Sequence, residues 1–116
     1  MSESYLDSIG ILSPIEPIRG HLDSLLLAVL GDGPKHGYAV IEDLKRRSGG
    51  VFALPEGTVY PALHRLEEDG LLASSWQAGT QRPRRVYRLT RRGKRALAAH
   101  RSRWERFAQA VEAVLA

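Results

Sequence analysis

Several side chains that could bind an anion lie together in one short stretch, residues 56–72. Its first half carries hydroxyl, imidazole and guanidinium groups, and its second half carries consecutive acidic residues. The donors are Thr58, Tyr60, His64 and Arg65. Acidic residues usually favour the start of a helix because of the helix dipole, so this reversed order leaves the first turns open to an anion. Insertion of such a helix into a DNA groove is one interpretation, and a surface helix with scattered polar residues is the alternative.

A second group of cations follows in an interval that contains no acidic residue, residues 70–104. The basic residues of this interval are Arg82, Arg84, Arg85, Arg88, Arg91, Arg92, Lys94, Arg95, Arg101 and Arg103. Such segregation of charge predicts a positive face that can follow a phosphate backbone. The alternative is a solvated basic patch.

Hydrophobic spacing predicts the helices that must position these groups. Val59, Ala62, Leu63 and Leu66 recur at i, i+3, i+4 and i+7, which indicates a helix with one buried stripe that ends at Gly70. Two shorter helices are predicted before it, over about residues 20–30 and 36–47. The second of these is expected to bury Tyr38, Ile41 and Leu44.

After Gly70 the pattern becomes extended, with strands predicted over residues 71–77 and 84–90 and a loop between them. Thr90 is a good N-cap for a last helix over residues 91–116. The fold class is therefore mainly α (α+β), a winged helix-turn-helix with a β-hairpin wing and a long C-terminal helix. We expect an N-terminal arm at 1–19, a DNA-binding domain at 20–90 and a C-terminal dimerisation helix at 91–116.

The last helix has a heptad-like apolar seam. Leu97, Trp104 and Val111 fall at a positions, and His100, Phe107 and Val114 fall at d positions, with Leu115 beside them. A helix of this length with its own seam predicts a homodimer, whose two domains would read the half-sites of a palindromic operator. Packing of this helix against the first helix of the same chain is the alternative.

Composition narrows the class of protein. The chain has 116 residues, a net charge of +4 and no cysteine, so disulfides and thiol catalysis are excluded. It contains neither an apolar run of membrane-spanning length nor a signal-peptide pattern, which predicts a cytoplasmic protein without membrane contact. Its four histidines show no metal-ligand spacing, and no phosphate loop or catalytic constellation is present. We therefore expect no enzyme activity, no metal and no cofactor.

The motifs LLLAVL at 25–30, GPKHGY at 33–38, GTVYPALHRLE at 57–67 and PRRVYRLT at 83–90 resemble those of PadR-type transcriptional regulators, in the family's order. The single C-terminal helix is similar to the small subtype. The resemblance implies a winged-helix dimer that usually represses transcription and is released by a small ligand. The chain departs from the family at Val86-Tyr87, where paired tyrosines are frequent, and its N-terminal arm is longer than that subtype suggests.

Roles follow for individual residues. Thr58, Tyr60, His64 and Arg65 are predicted to enter the groove, with Arg65 on a guanine edge or a phosphate and Tyr60 on a phosphate or a thymine methyl group. A partly buried packing ring is the alternative for Tyr60. The predicted wing contacts to phosphate or the minor groove are Gln81, Arg82, Arg84 and Arg85. Lys35 is predicted to add a phosphate contact, whereas His36 and Tyr38 are interpreted as packing residues.

Trp104 has a second candidate role, together with His100 and Phe107. Resemblance to multidrug-responsive family members suggests that such a tryptophan stacks on a planar aromatic effector between subunits. Plain interface packing is the alternative.

A sequence-specific regulator that binds double-stranded DNA is thus the leading hypothesis. A winged-helix module that docks onto another protein without reading DNA is the alternative. Salt separates the two, since DNA binding weakens steeply as salt rises.

Overall fold

The computed structural model describes residues 21–78 and 82–116 and confirms the predicted order of the four helices and the β-hairpin, to which it adds one short strand. The elements are α1 (Leu22–Leu30), β1 (Lys35–His36), α2 (Gly37–Arg47), α3 (Glu56–Glu68), β2 (Leu72–Gln77), β3 (Arg84–Leu89) and α4 (Arg91–Leu115). The expected arm at residues 1–19 and the wing residue Gln81 lie outside the described residues. Three helices followed by a β-hairpin and a long helix form the predicted winged helix-turn-helix, so the mainly α (α+β) fold class is confirmed.

Helix α3 forms as its apolar spacing predicts. Val59, Ala62, Leu63 and Leu66 are all buried. Gly70 has a φ of 80°, the left-handed conformation that ends a helix and that glycine adopts without strain. The chain therefore leaves α3 in a fixed direction and enters β2 directly.

The sheet contains a strand that the sequence did not predict. β1 pairs antiparallel with β3, in the register Lys35↔Tyr87 and His36↔Val86, and β3 pairs with β2 in the strand order β1-β3-β2. A segment of two residues cannot show the alternation of buried and exposed side chains that identifies a strand. The sequence pattern therefore places Lys35 and His36 at the start of the second helix. The pairing places the beginning of α2 beside the wing.

Tyr38 was predicted to be buried, and this prediction was wrong. Its side chain is 56% exposed, because Val40, Ile41 and Leu44 fill the buried side of α2. Tyr38 precedes Val40 by two residues, which places it on nearly the opposite side of the helix. It faces outward at the start of α2.

Helix α4 is fixed to the hairpin at its first turn. Thr90 caps it as predicted: the Thr90 hydroxyl accepts from the Gly93 amide at 3.0 Å and donates to the Gly70 carbonyl at 2.7 Å. Gly93 lies so close to β2 that a Cβ there would be 2.0 Å from the Leu71 carbonyl oxygen. The same residues thus fix the orientation of α4 and its position relative to the wing.

The first part of α4 belongs to the core of its own chain. Leu97 is 5% exposed and packs with Leu27 and Leu30 of α1 in the buried apolar cluster. Packing against the first helix, the alternative to a dimer seam, therefore accounts for Leu97. From Trp104 onward, the apolar side chains of α4 are largely exposed. In the two ranges that the structure describes, no helix has both the length and the apolarity needed to cross a bilayer.

Candidate nucleic-acid interface

A groove of about 430 Å³ lies between α3, the start of α2 and the wing. Its lining joins Tyr60 and His64 of α3 to Arg82, Arg84 and Arg85 of the wing. Tyr38, His36 and Tyr87 complete much of the remaining wall. Two groups of predicted DNA contacts, separated in the sequence, thus face one another across a single concave surface.

Tyr60 is a partly buried packing ring, the alternative considered for it, and its ring also lines the groove. Its ring is half-buried and packs on the backbone of Gly37, where an added Cβ would lie 2.8 Å from the Tyr60 ring carbon Cε1. Burial, followed by the nearby Glu56, raises the pKa of the Tyr60 phenol. A tyrosine phenol is already protonated at neutral pH, so its hydroxyl is a hydrogen-bond donor there. Gly37 is required for the ring's position.

His64 is exposed in the groove, with its ring centroid 6.4 Å from that of Tyr87. Arg65 is turned to the other side of α3, where its Nη2 atom donates to the Asp23 carboxylate of α1. Thr58 is half-buried, and neither Thr58 nor Arg65 lines the groove. The four predicted contacts of α3 therefore divide between two flanks of the helix.

The Arg84 guanidinium lies beside His36, with Arg84 Nη1 3.1 Å from His36 Nε2. His36 Nδ1 accepts from the Ala39 amide at 3.2 Å and so caps α2. A neutral imidazole has one acceptor nitrogen, so the tautomer decides whether His36 accepts from the Ala39 amide at Nδ1 or from Arg84 at Nε2. Burial and then Arg84 lower the pKa of His36, which keeps the ring neutral. The guanidinium of Arg84 has further N–H donors in a planar fork, and these suit a phosphate oxygen.

Arg85 joins the wing to α3. Its Nε donates to the Ser74 hydroxyl at 2.8 Å, its Nη2 donates to Glu67 Oε1 at 3.2 Å, and the Ser74 hydroxyl donates to Glu67 Oε2 at 2.6 Å. The guanidinium carbon also lies 5.5 Å from the centre of the Trp76 ring. This cluster, which we call the wing clamp (Glu67, Ser74, Trp76 and Arg85), sets the angle between hairpin and helix.

The sequence patterns did not predict the wing clamp. Arg85 was interpreted as a phosphate contact because it lies in an acid-free interval, whereas its carboxylate partner Glu67 precedes it by 18 residues. The strand register that opposes Arg85 to Trp76 is visible only once the hairpin is paired. The Ser74 hydrogen bond is the largest cause that lowers the pKa of Glu67, against an opposing effect of burial, and Arg85 lowers it further.

Lys35 lies outside the groove. Its ammonium nitrogen is 4.0 Å from the carboxylate of Asp43, which is 7% exposed and also pairs with Arg46 and Arg47. A buried carboxylate holds cations strongly because it has lost most of its water. Lys35 thus belongs to a charge cluster around the buried carboxylate of Asp43.

A second concavity, of about 560 Å³, lies between α1 and α4 and is called the helix cleft here. Its walls include all three predicted ligand contacts, His100, Trp104 and Phe107. The Trp104 ring lies 5.2 Å from that of His21 and 5.7 Å from that of Phe107. Ser24 Oγ lies 2.6 Å from His100 Nδ1, and burial followed by Arg103 lowers the His100 pKa against an opposing effect of Asp23.

The exposed apolar side chains of α4 continue beyond the helix cleft. Trp104, Phe107, Val114 and Leu115 are 52%, 56%, 84% and 79% exposed, and Val111 is 37% exposed. Large apolar side chains that recur along one helix at this exposure mark an interaction surface.

Glu67→Gln should lower the free energy of unfolding at pH 7 by about 1 kcal/mol, because an amide pairs less strongly with Arg85 than a carboxylate does. Since folding lowers the pKa of Glu67, the carboxylate's contribution is complete above the unfolded pKa of about 4.3 and is lost as pH falls through the lower folded value. Urea titrations of both proteins at pH 7 and pH 3 measure the difference.

Glu68→Gln is the matched control, because Glu68 is the exposed neighbour of Glu67 on the same helix. It should change the free energy of unfolding by less than about 0.5 kcal/mol. A Glu67→Gln effect of equal size at both pH values would contradict the role assigned to the carboxylate.

Comparison with known proteins agrees with the fold. The sequence model of the transcriptional regulator PadR-like family matches residues 26–99 of this chain. Transcriptional regulator Rv3488 of Mycobacterium tuberculosis is 41% identical over 80 residues, which are 69% of this chain and 72% of that protein.

Solved structures give the same result. A PadR family transcriptional regulator from Eggerthella lenta is 33% identical with a TM-score of 0.80, and the match covers 98% of this chain and 97% of that one. A transcriptional regulator from Clostridium thermocellum is 27% identical with a TM-score of 0.77, covering 84% and 95%. Family and relatives are transcriptional regulators and not enzymes. The chain therefore belongs to the PadR-like family of transcriptional regulators, and this membership implies that it binds DNA.

Proposed function

We propose that the chain is a homodimeric repressor that binds double-stranded DNA at a palindromic operator and is released by a small planar aromatic ligand. The observation that carries the proposal is the groove in which Tyr60 and His64 face the wing arginines. A helix that presents donors beside a basic hairpin can contact base edges and the adjoining phosphates together.

The two flanks of α3 receive different tasks in this proposal. Tyr60 and His64 contact DNA on the groove side, and Thr58 and Arg65 contact it on the opposite flank. Arg82 and Arg84 bind phosphate, and Gln81 is proposed as a further wing contact. Arg85 holds the hairpin in place through the wing clamp and adds positive potential. Lys35 contributes mainly to that potential, because its ammonium group already faces Asp43.

Dimerisation is assigned to the exposed part of α4. The helix has 25 residues, about 37 Å, and the core uses its first turns alone, through Gly93 and Leu97. The seam proposed here consists of Trp104, Phe107, Val111, Val114 and Leu115. Burial of these side chains against a second copy would remove a large apolar surface from water. Two half-sites would then be read by two identical domains.

The effector is assigned to the helix cleft, because Trp104 belongs both to its wall and to the proposed seam. A planar aromatic molecule stacked on Trp104 would press on α4 where the two copies meet. A change in the crossing of the two α4 helices alters the spacing of the domains, and DNA affinity falls as a result.

Arg84→Ala should weaken binding about equally for all duplex sequences and reduce the slope of log K against log salt by about 1 per half-site. The reason is that the side chain is assigned to a phosphate and not to a base. Fluorescence anisotropy with a selected operator and a random duplex, each at several salt concentrations, measures both effects.

Arg106→Ala removes the same charge from the exposed surface of α4, away from the groove, and should leave the slope within error. An unchanged slope in Arg84→Ala would remove Arg84 from the phosphate contacts. A wild-type protein whose affinity for duplex DNA hardly depends on salt would favour the protein-docking module instead.

Val114→Glu should raise the dissociation constant of the dimer on the order of 100-fold or more, since the seam would bury an unpaired charge. Val114 is 84% exposed within one chain, so the substitution should hardly change the stability of the folded monomer. Sedimentation over a concentration series measures the constant. Gln109→Glu, on another side of α4, is the control, and a Val114→Glu protein that remains as dimeric as this control refutes the seam.

A further inference from the structure

The start of α1 touches the helix cleft and α3 at the same time. His21, the N-cap residue, packs edge-on against Trp104 of α4, with ring centroids 5.2 Å apart. Ser24 lies 2.6 Å from the His100 ring nitrogen, also on α4. Between them, Asp23 pairs with Arg65 on α3. One turn of helix thus connects two of the proposed functional surfaces.

The Asp23–Arg65 pair is not buried. The Arg65 side chain is 52% exposed and that of Asp23 is 39% exposed, so the ion pair itself adds little to stability. The contact with Asp23 engages the Arg65 Nη2 atom, and a guanidinium has five N–H donors in a rigid fork. The remaining donors stay available to an acceptor outside the protein.

A carboxylate in this position restricts a long and flexible side chain. An arginine that is already held in one rotamer loses less conformational entropy when it binds a base edge. The same carboxylate cancels the arginine's charge, which weakens attraction to phosphates of any sequence. Both effects raise the ratio of specific to non-specific binding.

We propose that Asp23 is a positioning residue that holds Arg65 for reading one base pair, and that the first turn of α1 couples this reading to the helix cleft through His21 and Ser24. The inference rests on the proposed DNA-binding function. It adds a residue outside α3 and the wing that determines specificity, and a physical connection between the helix cleft and DNA.

The test begins with selection of duplexes from a random pool by the wild-type protein. Affinities are then measured for the selected duplex, for its single-base-pair variants and for a random duplex. Arg65→Ala should lose preference at one base pair per half-site. Asp23→Ala should lose preference at the same base pair, by about fivefold or more, and the double variant should lose no more than Arg65→Ala alone.

Two variants distinguish the positioning of Arg65 by Asp23 from an effect of net charge, and thermal unfolding distinguishes it from an effect on protein stability. Asp23→Asn keeps an oxygen that accepts from Arg65 and should restore part of the preference. Glu68→Gln removes the same charge from the exposed side of α3 and should leave the preference intact. Thermal unfolding of each variant is recorded beside binding, because a merely structural role would lower the melting temperature and weaken all duplexes alike.

The coupling has its own variant. His100→Ala removes the partner of Ser24 in the helix cleft. In a protein that retains Asp23, His100→Ala should change the preference at the base pair that Arg65 reads. In the Asp23→Ala background, His100→Ala should leave that preference unchanged.

The outcomes are distinguishable. If the wild-type protein selects no duplex, the proposed function fails. If it selects one and Asp23→Ala keeps the preference that Arg65→Ala loses, or weakens every duplex equally, the positioning role of Asp23 is overturned. If His100→Ala leaves the preference unchanged in both backgrounds, the coupling to the helix cleft is overturned.

Discussion

Burial of one apolar stripe on α3 is the constraint from which the arrangement of the surface follows. Val59 and Leu63 have no exposed area, and Ala62 and Leu66 are nearly as buried. Rotation of the helix about its axis would bring these side chains into water, at about 1.5–3 kcal/mol for each large one. The helix is therefore held in one orientation, and its polar residues are presented at fixed angles to the solvent. Tyr60 and His64 face the wing, while Arg65 faces α1.

Neighbouring elements complete the groove around α3. The wing clamp ties β2 and β3 to the end of α3, and β1 brings the start of α2 to the same groove. Gly93 and Thr90 anchor α4 to the hairpin. Through this anchor, the long helix, its exposed apolar side chains and the helix cleft are connected to the groove. A displacement of α4 can therefore reach α3 through α1 or through the wing.

Sequence patterns predicted the parts of this architecture that depend on local periodicity. The stripe of α3, the Thr90 cap and the Gly70 terminus are local signals, and the structure contains all three. Two predictions were wrong, since Tyr38 is exposed and Leu97 packs within its own chain. The sequence also did not reveal that Arg85, Lys35 and Arg65 have carboxylate partners on other elements. A run of arginines indicates positive potential, but tertiary packing decides which of them are paired, and no periodicity contains that information.

The most direct test is to map a DNA duplex onto the protein by amide chemical shifts. A duplex selected from a random pool is added to the ¹⁵N-labelled protein, and the shift changes are assigned along the chain. The account predicts that the changes concentrate in residues 57–65 of α3 and 82–88 of the wing, which carry the proposed DNA contacts. Changes confined to the exposed seam of α4, with α3 and the wing unaffected, would contradict it.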